Sequence, residues 1–250
     1  MRKSIVVFDF DGVVCDSTDE CMVVSWNAWQ RMQGRDVKRT RLNEFDQIEY
    51  EVFRKLRPFV RGGGEYYVLW RWMSRRCEAM TYSDYEFYCR EWEKYFKAFK
   101  KIFYQERDHL RNNDLDAWIR LHPVWIEVIE ALKKLINQSR AYIATLKDGR
   151  SVKLILEAHD VNFPSERLLD QSQINTKAAA LEKIRKHEAC DKGQMIFIDD
   201  NITHIINPFL TGYDCYMAGW GNIPDEFYQI ADEKGVPILT LEKIGMVLYL

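Results

Sequence analysis

The chain has 250 residues, 47% of them hydrophobic and 30% charged, with a formal net charge of -2. That length and balance suit one large α/β domain, or a medium core carrying an inserted second domain. The near-neutral and interspersed charge gives no pull toward nucleic acid or an anionic membrane.

No run of roughly 18 apolar residues occurs, so no bilayer-spanning helix is expected. Met1, Arg2 and Lys3 lead into an apolar run, Ser4 to Phe10, but it is too short for a signal core and is interrupted by Asp9. The six cysteines (Cys15, Cys21, Cys77, Cys89, Cys190 and Cys215) are scattered and form no CxxC pair. Reduced thiols in a cytoplasmic protein are the expectation.

The first element, Ser4 to Phe10, is apolar and β-branched at its start. It reads as a strand buried on both faces, as in a parallel sheet. Ser17-x-x-Glu20 predicts a capping box opening a helix to about Gln33. From there to about Leu121 strand signals are nearly absent, and helices are expected near 42–56, 65–80, 84–105 and 114–121. Six of the eight tryptophans fall within 17–122, at spacings that suit the core of a small bundle.

After His122-Pro123 the pattern alternates. A helix is expected over 124–137, with Pro123 close to its first turn. A strand at 140–145, a helix to about His159, a short strand near 167–170 and a helix from about Thr176 to His187 follow. Met195 to Asp200 is the clearest late strand; the strand 214–218, a helix near 225–233 and Pro237-Ile238-Leu239 complete the series. One early strand plus late alternation gives an α/β fold, a Rossmann-like parallel sheet with helices on both faces and an inserted all-helical domain. The expected division is 1–16 with 123–250 as core, and 17–122 as insertion.

Asp9-Phe10-Asp11-Gly12 ends the first strand and Asp199-Asp200 ends a later one. Carboxyl ends of parallel strands are where open α/β sheets bind ligands. Acids gathered there repel one another unless a cation holds them, and oxygen-only donors suit Mg²⁺. Thr145, closing the strand after the insertion, offers a hydroxyl for a phosphoryl oxygen. Lys177, at a helix entrance, offers a charge to offset carboxylates and phosphate.

Together these four sites resemble the haloacid dehalogenase superfamily, on its phosphatase side, in the phosphoglycolate phosphatase-like manner. Asp9-Phe10-Asp11-Gly12-Val13 matches the family's Asp-x-Asp-Gly-Val, Thr145 its second motif, Lys177 its third and Asp199-Asp200 its fourth. His122-Pro123-Val124, Leu210-Thr211-Gly212 and Gly219-Trp220-Gly221 are similar to further family segments. The resemblance implies Asp9 as the nucleophile that forms an aspartyl-phosphate and Asp11 as general acid and then base. It implies Mg²⁺ on Asp9, the Asp11 carbonyl and Asp200, and an insertion that serves as a helical cap. Two departures stand out. His204 occupies the position of a frequent second acid and reads as a surface helix residue, and Asp199 stands where glycine is frequent and is expected to share the metal role.

The insertion carries 20 Lys+Arg against 17 Asp+Glu, a balance of +3, which leaves -5 for the rest. A mildly basic cap over an acidic core suits an anionic substrate. Within it, Arg61-Gly62-Gly63-Gly64-Glu65 reads either as a loop whose Arg61 and Glu65 bind substrate or as a flexible turn with solvated charges. The expected activity is hydrolysis of a small phosphorylated metabolite by a monomer or homodimer. A phosphomutase, a phosphonate hydrolase and a non-catalytic ligand-binding protein are the alternatives on the same scaffold.

Overall fold

A computed structural model describes residues 4–249. Met1, Arg2, Lys3 and Leu250, the ends of the expected core segments, lie outside the described residues. The chain divides into two compact units: residues up to Asp16 together with those from Pro123, and Ser17–His122.

The chain begins with strand β1 (Ile5–Phe8), Ile-Val-Val-Phe, buried at every position. It then enters the second unit, which is helical throughout its described elements: α1 (Thr18–Met32), α2 (Gln47–Leu56), α3 (Tyr66–Arg76), α4 (Tyr82–Trp92), α5 (Phe96–Asn113) and α6 (Leu115–Arg120). The single helix expected near 84–105 is two, parted by a 3-10 turn at Glu93–Tyr95. Helix α1 packs on α5 and α3, and the aromatic spacing is spent on the core. Tyr66 stacks between Phe53 (6.0 Å) and Phe103 (5.2 Å), and the Trp70 indole donates to Ser25 Oγ at 2.7 Å.

The capping box expected at 17–20 does not form. Ser17 is the N-cap, but its side chain makes no cap hydrogen bond. Glu20 is fully buried and accepts two hydrogen bonds from Arg107, at 2.6 and 2.9 Å. A carboxylate withdrawn from water needs a charged partner more than a backbone amide at a helix end, and α5 supplies one.

Beyond Pro123 come α7 (Ile126–Asn137), β2 (Ala141–Ala144), α8 (Gly149–Glu157), β3 (Leu168–Leu169), α9 (Lys177–Glu188), β4 (Met195–Asp199), α10 (Ile202–Leu210), β5 (Asp214–Ala218), α11 (Asp225–Lys234) and β6 (Ile238–Leu239). Helix α7 starts later than Pro123 suggested, with Trp125 as its N-cap. All strand pairs are parallel, in the order β3-β2-β1-β4-β5-β6. From β1 the chain moves outward through β2 to β3, then returns to β4 and moves outward the other way. Right-handed crossovers therefore place the helices of the two halves on opposite faces of the sheet. The reversal falls between β1 and β4, the topological switch point at which such sheets bind ligands.

Candidate active site

The register of β1 and β4 sets the centre of the site. Phe8 pairs with Ile198, and the Asp9 N–H donates to the Ile198 carbonyl at 2.8 Å. The next residues along, Asp9 and Asp199, therefore emerge side by side. Both are buried, Asp9 with 6% of its surface exposed and Asp199 with none. Two desolvated carboxylates in such proximity require cations.

Lys177 supplies the first cation. It is the first residue of α9, whose N-cap Thr176 accepts from the Ala179 N–H through its side chain. A positive side chain in the first turn opposes the helix dipole, so its placement there has to be compensated. Its Nζ touches Asp9 Oδ1, lies 3.4 Å from Asp199 Oδ2 and donates to the Ala144 carbonyl at 2.7 Å. Burial would lower the Lys177 pKa, but Asp9 and Asp199 outweigh it and raise the value above normal. At Asp9 burial prevails: it lifts the carboxyl to about 6 against the pull of Lys177, with the charge of Asp199 adding to the rise.

Asp199 is held differently. It accepts the Asn201 N–H at 2.9 Å, and His204 Nδ1 lies 3.2 Å from both of its oxygens. Burial raises its pKa, but His204, Lys177 and the Asn201 amide together hold it below the ordinary carboxylate range. His204 is thus no solvated surface residue. It sits in the first turn of α10, after the N-cap Asn201, and only 16% of its side chain is exposed.

The other two acids flank this pair. Asp11 follows β1 by three residues and is partly exposed; its Oδ1 lies 3.1 Å from Nζ of Lys147, whose side chain has no exposed surface. Asp200 lies against the turn at Gly12, where φ is +86° and an added Cβ would stand 1.9 Å from Asp200 Oδ2. Gly221 borders the same turn: a Cβ there would stand 3.0 Å from the Gly12 carbonyl oxygen and in ordinary contact, 3.6 Å, with Asp200 Oδ2. Thr145 is buried after β2; its N–H donates to the Leu169 carbonyl at 2.9 Å and its hydroxyl accepts the Lys147 N–H at 3.1 Å.

Lys147 was not legible as a site residue. Its only sequence signal is its place two residues after Thr145, in the same strand-end turn. Arg61 and Glu65, in the helical unit, are engaged with each other: Arg61 pairs with Glu65 at 3.2 Å and with Glu86 at 2.9 Å, and Glu65 accepts from the Tyr85 hydroxyl at 2.7 Å. The glycine turn is therefore closed by its own ion pair rather than flanked by solvated charges.

Among the described residues, Asp9, Asp199 and His204 can bring one ligand atom each within 4.8 Å of one another, a spacing that one cation could share. The donor chemistry fits a divalent ion. Four carboxylates (Asp9, Asp11, Asp199, Asp200) face two ammonium groups (Lys147, Lys177), leaving negative charge in excess. The charge of Asp199 adds to the rise that burial imposes on the Asp9 carboxyl.

No family model and no curated protein matches the chain. Solved structures do match over its whole length. A predicted phosphoglycolate phosphatase from Haemophilus somnus 129PT superposes with a TM-score of 0.61 at 17% identity, covering 100% of this chain and 98% of that one. A predicted phosphatase from Clostridium acetobutylicum gives 0.61 at 15% identity, covering 100% of both chains. A haloacid dehalogenase-superfamily hydrolase of subfamily IA from Geobacter sulfurreducens gives 0.51 at 14% identity, covering 93% and 97%. At such identities the likeness establishes a shared fold.

Proposed function

We propose that this chain, which has the fold of the haloacid dehalogenase-like hydrolases, is a phosphatase that hydrolyses a small phosphomonoester through an aspartyl-phosphate on Asp9. The observation that carries the reading is the meeting of Asp9, Lys177 and Asp199 at the β1–β4 switch point, with Asp11 alongside. Binding alone would not require a desolvated carboxylate under a lysine next to a second, partly exposed acid.

In this reading an Asp9 carboxylate oxygen attacks phosphorus while the ester oxygen departs with a proton from Asp11. Water then attacks the aspartyl-phosphate, Asp11 takes its proton, and the Asp9 carboxylate is restored. Lys177 and the Thr145 hydroxyl bind phosphoryl oxygens, and Lys177 offsets the charge that builds as one anion approaches another. Bound Mg²⁺, held by the Asp9 and Asp200 carboxylates and the Asp11 carbonyl with Asp199 completing the acidic surround, supplies further charge neutralisation. Substrate selection falls to the helical unit, where Arg61 and Glu65 are the candidates, and a cytoplasmic setting belongs to the same reading.

The test is p-nitrophenyl phosphate hydrolysis with and without Mg²⁺, by the natural chain and by Asp9→Asn. We expect turnover that needs the metal, and a loss of about 10³-fold or more in the variant. Turnover by Asp9→Asn equal to that of the natural chain would refute the assignment.

A further inference from the structure

The two neighbouring acids after β1 are each matched to a lysine, from different elements. Lys177 enters from α9 and meets Asp9, while Lys147 enters from the turn after β2 and meets Asp11 at 3.1 Å. The Lys147 side chain has no exposed surface, and lysines are almost never fully buried unless paired. Its backbone is fixed as well, with the N–H on Thr145 Oγ1 at 3.1 Å and the carbonyl accepting from Gln171 at 3.4 Å. The ammonium is thus presented from a rigid base.

Asp11 needs such a partner. It stands beyond the end of β1, immediately before Gly12 with φ +86°, and its backbone is joined to its surroundings by an isolated bridge to Cys15 rather than a strand ladder. Its side chain is 19% exposed. Its Oδ1 also lies 3.9 Å from the Cys15 thiol, a weak donor, and proton transfer demands that the carboxylate keep one orientation.

Building on the phosphatase reading, we infer that Lys147 is a positioning residue for Asp11, as Lys177 is the partner of Asp9. The nucleophilic attack then depends on Lys177, and both proton transfers depend on Lys147. In the first half-reaction the Asp9–phosphorus bond forms, the ester bond breaks and the leaving oxygen takes the Asp11 proton. In the second, the water–phosphorus bond forms, the Asp9–phosphorus bond breaks and Asp11 accepts the water proton. Lys147 keeps its own protons throughout.

Rapid mixing of Lys147→Met with two esters tests this division. p-Nitrophenolate leaves without a proton, whereas phenolate from phenyl phosphate is a poorer leaving group that gains from one. With p-nitrophenyl phosphate the variant should release a burst of about one nitrophenolate per active site at close to the natural rate. Steady turnover should then be slowed about 100-fold, with phosphorylated Asp9 accumulating in acid-quenched protein. With phenyl phosphate the first step should slow as well and no burst should appear. The burst amplitude counts active sites, so a partly misfolded sample is recognised, and Lys147→Arg should restore part of the steady rate. A Lys147→Met variant that loses equally on both esters without a burst, or one that keeps natural turnover, overturns the inference while Asp9-dependent activity of the natural chain leaves the phosphatase reading standing. Absence of Asp9-dependent turnover in the natural chain defeats both.

Discussion

Replacing Gly12 by alanine separates backbone strain from displacement of Asp200. At φ +86° an L-residue costs about 1–2 kcal/mol. The added Cβ would also stand 1.9 Å from Asp200 Oδ2, 2.3 Å from Cγ and 2.8 Å from Oδ1. No such contact survives, so the carboxylate must leave its position, at a further cost of about 1 kcal/mol for an unfavourable rotamer. Gly212→Ala is the control. Its φ is +97°, yet a Cβ there meets nothing within 4 Å. Chemical denaturation should show a loss of about 2–3 kcal/mol for Gly12→Ala and about 1–2 for Gly212→Ala. On the proposed phosphatase reading, in which Asp200 would hold the metal, magnesium titration of p-nitrophenyl phosphate hydrolysis should then show half-saturation raised about 10–100-fold by Gly12→Ala alone. Equal stability losses with unchanged magnesium dependence in both variants would refute the argument that Gly12 exists to seat Asp200.

Asp9, with a folded pKa near 6 against an ordinary 3.8, favours the folded state only when protonated. Its contribution to the stability of metal-free protein is complete below pH 4 and is lost as pH rises through 6, an amount of about 3 kcal/mol. Thermal unfolding across that range in chelator should show the slope, and Asp9→Asn should remove it; a flat profile for the natural chain would contradict the burial argument. In the helical unit, Arg107→Met takes the guanidinium from the fully buried Glu20, leaving the Trp118 indole at 3.4 Å and His122 at 3.9 Å beside it, and should cost about 3–5 kcal/mol in urea denaturation, while Glu20→Met combined with Arg107→Met should recover more than half of it. A single-variant loss below about 1 kcal/mol would show that the pair is not what joins α1 to α5.

The sequence by itself determined the class of fold and the acids at its centre. An apolar strand ending in Asp-x-Asp-Gly, a late strand ending in Asp-Asp and helical periodicity between are local patterns, carried by neighbours in the chain. Parallel strands align their carboxyl ends, so Asp9 and Asp199 reach one edge whatever the details of packing. Which side chain partners which is a different matter. Ser17-x-x-Glu20 has the form of a capping box, yet Glu20 belongs to Arg107, 87 residues further on. His204 has the form of a surface helix residue, yet the first turn of α10 brings it to Asp199. Lys147 carried no mark of its own, yet the β2–β1 register delivers its ammonium to Asp11. Those pairings come from strand order, register and the direction of each turn, which exist only once distant segments have packed. The Coulomb energy that fixes them depends on separation in space and on exclusion of water, and neither quantity is written in the spacing of residues along the chain.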